Sequence, residues 1–331
     1  MSLLLTGARA SSVLYNFLEQ NTSVAGKKWL IPINVCKVVP LTFYSANAHF
    51  KYCDITALDL FIDLSNQDFN EVHGILVIAP YGATINARIT KQLTKIKVSH
   101  PEILVIFDLC LSMPVTSKPN SDIPDLVLYS SGYSKPVDIG HGGFGYSRFK
   151  VENNKKGVQV EAIQKENFEE QILKLGNGDI IGYKADWLDL ELNNLNSKSY
   201  FSEIKDEFDG SKEHRRCLIS IYQAMLPKRI LLKDEYQSWR FNVLVPNKEE
   251  LLISISNAGL FASTHYAMAQ PMHNMPVAFE LSKFVLNLFF DSYFTEEKAI
   301  SICKVINTHI ELYLEEESFI LLLNKFSSVR K

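Results

Sequence analysis

Cysteine is scarce in this chain of 331 residues: Cys36, Cys53, Cys110, Cys217 and Cys303, an odd number with no C-x-x-C pair. A disulfide framework is not expected in so long a chain, and no ligand spacing supports a zinc cluster or other metal site. Reduced thiols in a cytoplasmic protein are the expectation. Net charge is small as well, −3 at neutral pH, which gives no electrostatic reason to expect a nucleic-acid partner. Apolar runs are broken by Asn, Asp or Lys before they reach the length that crosses a bilayer, so no membrane partner is expected. The opening patch Leu3-Leu4-Leu5 is too short for a signal peptide and has no basic residues before it. Neither a G-x-G-x-x-G after the first strand nor a Walker motif occurs, which speaks against an NAD-type module or a nucleoside triphosphate site. There is no internal repeat and no low-complexity segment.

The rest is an ordinary globular balance, 47% hydrophobic and 21% charged, long enough for about two domains. Short apolar runs at Trp29–Pro32, Ile75–Ala79, Ile103–Phe107 and Leu126–Tyr129 read as strands covered on both faces. Helical patterns lie between them, at Ala10–Glu19 and more weakly at Thr84–Val98. Strand–helix alternation predicts an α/β unit with a mainly parallel sheet. After Ser147 the texture turns helical, with amphipathic stretches at Glu166–Leu175, Leu188–Leu195 and Glu213–Met225. A smaller α+β unit then begins. It has a strand at Trp239–Val245, a helix at Lys248–Gly259, an extended piece at Phe261–Tyr266 and a long helix from Thr295 to Glu316. The expected division is 1–228 and 229–331.

Two residues stand out chemically. Asp108 directly follows an apolar strand, where open α/β sheets gather their ligands, although a helix cap or solvated loop acid is an equally good reading. Lys135 sits in Ser130-Ser131-Gly132-Tyr133-Ser134-Lys135-Pro136, among small and aromatic residues after a buried strand. Most lysines are solvated. One partly desolvated in such a loop can act as a nucleophile or form a Schiff base. Gly7, just before a helix, lets a phosphate approach helical N–H groups, or merely ends a turn.

Together these residues resemble the DegT/DnrJ/StrS aminotransferases, sugar aminotransferases of pyridoxal phosphate (PLP) fold type I, from about Thr6 to about Ile306. The family's small-residue opening corresponds to Thr6-Gly7-Ala8-Arg9-Ala10, its acid after a strand to Phe107-Asp108-Leu109-Cys110, and its lysine loop to Ser130–Lys135. His141-Gly142-Gly143 follows, and Trp239–Val245 and Ala262–Tyr266 are similar to its C-terminal domain. The resemblance implies a three-layer α/β/α major domain with a mixed, mainly parallel sheet, plus a smaller α+β C-terminal domain. It implies PLP held by Lys135, with Asp108 on the pyridine nitrogen and Gly7, Ala8, Arg9 and Ser130 around the phosphate. It implies transfer of an amino group from glutamate to a keto-sugar, nucleotide-linked, in surface polysaccharide (lipopolysaccharide) or related biosynthesis, by a cytoplasmic homodimer with a shared site.

The departures from the family are specific. Its stacking aromatic falls on Cys36, its Gln or His after the Asp on Leu111, and its phosphate-binding Thr on Ala8. Its Asn, which reaches the phosphate across the dimer interface, falls on Lys184, a point charge able to do the same or a plain surface lysine. Asp186 stands where the family has Arg. The family segment before the Gly-Thr motif has no counterpart, so substrate recognition is expected to differ. Retention of Lys135 argues against the branch that replaces it with His, and His141 reads as a loop residue. A PLP-fold homologue with another substrate, or without catalytic activity, is the alternative.

Overall fold

A computed structural model describes residues 3–21, 26–117, 121–152, 192, 195–266, 275–313 and 315–331. The strands are β1 (Leu3–Gly7), β2 (Lys28–Pro32), β3 (Phe50–Cys53), β4 (Val72–Ile78), β5 (Leu104–Asp108), β6 (Leu126–Ser130) and β7 (Gly143–Ser147). They form one seven-stranded sheet in the order β1-β7-β6-β5-β4-β2-β3. β2 to β6 pair in parallel, and β7 runs antiparallel to both its neighbours, β6 and β1. The expected mixed, mainly parallel sheet is therefore present.

The continuous apolar runs follow from two-sided burial. In β4, Ile75 and Val77 enter one core while Leu76 and Ile78 enter another. β5 and β6 divide in the same way, Val105, Phe107, Val127 and Tyr129 against Ile106, Leu126 and Leu128. Each such side chain stabilises the fold by roughly 1.5–3 kcal/mol relative to an exposed one.

Helix α1 (Ala10–Gln20) lays Val13, Leu14, Phe17 and Leu18 on the first core, and α2 (Val38–Ser45) joins it through Val39 and Phe43. On the other face α3 (Ala87–Ser99) contributes Ile89, Leu93 and Ile96 at helical spacing. It starts at Ala87, not at Thr84, because the Asn86 side chain accepts the Ile89 N–H at 3.0 Å and caps it there. Helix α4 (Ser197–Met225) is longer than the periodicity of Glu213–Met225 suggested. It places Tyr200 and Ile204 in the α3-side core and Leu218 and Tyr222 in the other.

The C-terminal part pairs β8 (Phe241–Leu244) with β9 (Val285–Leu288), antiparallel. Around them lie α5 (Lys248–Asn257), α6 (Pro276–Phe284), α7 (Glu296–Glu311) and α8 (Glu317–Lys325). Thr295 caps α7 as expected, its hydroxyl accepting the Lys298 N–H. The single helix expected to reach Glu316 is corrected: the apolar stripe ends at Ile310, Leu312 is 71% exposed, and the chain turns before α8. The extended piece at 261–266 is reduced to one bridge, Ser263 to Asn287. The stretches 166–175 and 182–190, which include Lys184 and Asp186, lie outside the described residues, as does most of 188–195.

Candidate functional site

Gly7, Asp108 and Ser130 are the last residues of β1, β5 and β6, and all three strands run in one direction. The register places Ser130 opposite Gly143 and Gly143 opposite Gly7, so the start of α1 rises from the same sheet edge. That carboxyl edge is where open α/β sheets bind ligands. A cavity of about 440 Å³ opens there, and Arg9, Ser11, Cys36, Asp108, Ser130 and Lys135 all line it.

Asp108 is half-buried and accepts the Cys110 N–H at 3.0 Å. It has no ion pair with any described residue, so a half-buried carboxylate faces the cavity that Arg9 and Lys135 also line. Charge desolvated without a partner is costly, and a ligand cation would relieve that cost.

Lys135 is also half-buried and without an ion pair to a described residue. Its loop is braced on both sides. The Ser134 N–H donates to Asp138 at 2.7 Å, and Trp239 Nε1 donates to Ser134 O at 2.6 Å. Ser134 itself takes a left-handed φ of 59°, a conformation that costs a non-glycine residue energy and is held by those bonds. The Arg9 guanidinium lies 5.2 Å from the Tyr133 ring centre, and the Gly132 N–H points at Ser130 Oγ at 3.5 Å.

The two glycines after His141 have separate reasons. Gly142 has φ +84°, and a Cβ there would lie 2.6 Å from the Tyr200 ring. At Gly143 a Cβ would lie 2.1 Å from the Ala10 nitrogen. The close approach of this strand to the start of α1 therefore needs glycine. It also fixes Ala8, whose carbonyl accepts the Gly142 N–H at 2.8 Å.

The residues expected around a phosphate are thus only partly brought together. Arg9 and Ser130 line the cavity; Gly7 and Ala8 stand behind it, locked against Gly142 and Gly143, while Ala10 and Ser11 take the facing positions. Cys36 lines the cavity as counted from the sequence. Leu111 turns into the apolar core, so it offers the cavity nothing polar. His141 is more than half exposed, 3.4 Å from Glu203, a loop position as expected.

Sequence reasoning missed Ser11, Thr42, Cys110 and Tyr133 in the lining. Ser11 had a readable signal, being the second helical residue after the small-residue opening; the others had none. Cys110 is pushed well above the ordinary thiol range, first by burial and then by the Asp108 charge, so it stays protonated. Tyr266 is likewise held protonated by burial and by its neighbours Cys36 and Asp108.

No protein-family model matches the sequence, and no curated protein matches it. Solved structures do match. A DegT DnrJ EryC1 StrS aminotransferase from Brucella abortus superposes with a TM-score of 0.64 at 15% identity, over 93% of this chain and 86% of that one. Helicobacter pylori PseC, an aminotransferase involved in the biosynthesis of pseudoaminic acid, gives 0.64 at 15% identity, over 93% and 87%. NtdA from Bacillus subtilis, with bound cofactor PMP, gives 0.66 at 14% identity, over 93% and 73%. The chain has the fold of these aminotransferases, as its resemblance implied.

Proposed function

We propose that this chain is a PLP-dependent aminotransferase that moves an amino group from glutamate to a keto-sugar, nucleotide-linked, and that it works as a homodimer built from domains 1–228 and 229–331. The observation that carries this reading is one cavity lined by both Lys135 and Asp108, neither in an ion pair with a described residue, at the carboxyl ends of adjacent parallel strands.

The residues fit the group. Lys135 would bond an aldehyde carbon, Asp108 would hold a pyridinium N–H, and Arg9, Ser11 and Ser130 would take a phosphate beside the start of α1, all from the lining of one cavity. When bound, PLP supplies an electron sink for the pair left on a carbon that loses its proton. Asp108 would keep the proton on the pyridine nitrogen, and its hydrogen bonds from the Cys110 N–H and thiol leave acceptor capacity for that role. Lys135 would hold the aldehyde and, as a free amine, would take the proton from the donor carbon and give it back to the carbon on the other side of the transferred nitrogen. Tyr133, beside the Arg9 guanidinium, and the Trp239 tether to Ser134 O brace the loop that carries Lys135. Lys184 of a second copy would add charge at the phosphate.

A second reading, a PLP enzyme with a different substrate, is favoured by Cys36 standing where an aromatic ring would stack and by Leu111 facing the core. Spectroscopy tests both. Protein incubated with PLP is expected to show a band near the visible edge that borohydride removes, and Lys135→Ala is expected to abolish it. A wild-type protein that stays colourless sinks the cofactor assignment. Binding without conversion to the pyridoxamine form by any amino donor sinks the aminotransferase assignment alone.

A further inference from the structure

The chain turns directly after Asp108, over residues 109–112. The Leu109 N–H donates to Leu128 O at 2.9 Å, which ties the turn to β6, and the Ser112 N–H donates to Leu109 O at 2.9 Å, which closes it. The side chains then part. Leu109 packs against the core on the α3 face of the sheet, and Leu111 enters the core on the α1 face. Cys110 alone of these four lines the cavity that Asp108 and Lys135 share.

That position gives Cys110 two donors on one carboxylate. Its N–H donates to Asp108 Oδ1 at 3.0 Å, and its thiol donates to the same side chain. The direction of the second bond follows from burial, which together with the Asp108 charge keeps the thiol protonated. No other described side chain donates to Asp108.

An ionised carboxylate offers acceptor sites on both oxygens and can present them in many directions. The Asp108 backbone is already fixed, its carbonyl accepting the Ala79 N–H at 3.0 Å. Two donors from one neighbouring residue add a fixed carboxylate plane, and they leave the remaining acceptor sites to whatever enters the cavity. The choice of donor matters. A cation in that place, as Lys97 is for Asp125 at 2.6 Å, would consume the charge. A thiol is a weak donor, so it aims the carboxylate while taking little of the charge that a cationic N–H in the cavity would need.

We propose that Cys110 is a positioning residue, whose thiol aims the Asp108 carboxylate at the ring nitrogen of the cofactor. This rests on the PLP reading for the ring nitrogen but not for the bond between thiol and carboxylate. Two measurements separate them. The S–H stretch of Cys110, taken as the infrared difference between wild type and Cys110→Ala without cofactor, reads the bond alone. It is expected below the frequency of a thiol in apolar surroundings, and it should rise when the same difference is taken in an Asp108→Asn background. A stretch that ignores Asp108→Asn overturns the proposal. The second measurement is the dissociation constant of PLP beside that of its analogue with carbon in place of the ring nitrogen. Cys110→Ala is expected to weaken PLP about 3- to 10-fold, the scale of one hydrogen bond, and to leave the analogue unchanged, with Cys110→Ser in between. Both variants are to be compared with the wild type in thermal unfolding. Unchanged PLP affinity in a folded Cys110→Ala overturns the proposal. So do equal losses for PLP and the analogue, because the thiol would then only fill space. A stretch that responds to Asp108→Asn in a protein that binds neither ligand leaves the bond standing, but sinks the PLP reading and the ring nitrogen as its target.

Discussion

Asp59 and Asp108 are both carboxylates withdrawn from water, and the fold treats them in opposite ways. Asp59 is surrounded: Arg88 Nε and NH2 donate to it at 2.5 and 2.8 Å, Thr56 Oγ1 at 2.6 Å and Asn86 Nδ2 at 2.7 Å. Asp125 is served similarly, by Lys97 at 2.6 Å and by the Val105 N–H. Asp108 receives only the N–H and thiol of Cys110 among the described residues and faces a cavity. The difference teaches where the chain holds its charges ready. Away from the sheet's carboxyl edge, buried acids are consumed by their neighbours. At that edge Asp108 and Lys135 line one cavity without an ion pair to any described residue.

Removing each acid tests that division. Asp108→Asn is expected to cut amino transfer by about 10²- to 10³-fold, the scale of losing one preorganised electrostatic group, with little change in unfolding midpoint. Asp59→Asn is expected to do the reverse. It strips partners from a half-buried Arg88 and should cost about 2–3 kcal/mol in urea unfolding, while the folded fraction keeps its PLP band. A large stability loss in Asp108→Asn would break the comparison, because Asp108 would then be structural.

Acid pH gives a smaller effect of known sign. Burial raises the Asp59 pKa, but hydrogen bonds from Arg88, Thr56 and Asn86, with the Arg88 charge, outweigh it and hold the carboxyl below its ordinary value. A carboxyl depressed in the folded state contributes its full stability above the unfolded pKa of roughly 4, and loses it as pH falls through the folded value. Unfolding midpoints measured downward from pH 5 should therefore drop more steeply below about pH 4 in the wild type than in Asp59→Asn. Parallel curves would mean that Asp59 is not the partnered charge its geometry describes.

The sequence made the centre of the site legible for a physical reason. A strand covered on both faces tolerates no polar residue, so Asp108 and the Ser130–Lys135 loop mark the points where strands β5 and β6 end. Cys36 followed from counting along a resemblance. β7 was hidden because its sequence, Gly-Phe-Gly-Tyr-Ser, carries two glycines and owes its strand to pairing with β1 and β6 on either side. β3 was hidden because it is a short edge strand with Lys51 exposed to solvent. Gly7 and Ala8 are not in the cavity lining, since the pairing with Gly142 and Gly143 decides which residues at the start of α1 face it.

The smallest expected effect sharpens the boundary between the two kinds of site. Tyr200 reaches across from α4 and is buried, its hydroxyl 2.6 Å from Ser131 Oγ. Ser131 Oγ donates to His141 O at 2.8 Å, so the phenol is the donor to Ser131. Burial raises the Tyr200 pKa to about 12, which keeps that proton in place at neutral pH. Tyr200→Phe removes one buried hydrogen bond but leaves Ser131 its bond to His141, so the cost should be about 1 kcal/mol in urea unfolding. Ser131 is next to Ser130, yet it belongs to the partnered set. The PLP band and the glutamate requirement should therefore be unchanged. Loss of the band in a folded Tyr200→Phe would show that the loop carrying Lys135 depends on this hydrogen bond, and that scaffold and open charges are not separable at this edge of the sheet.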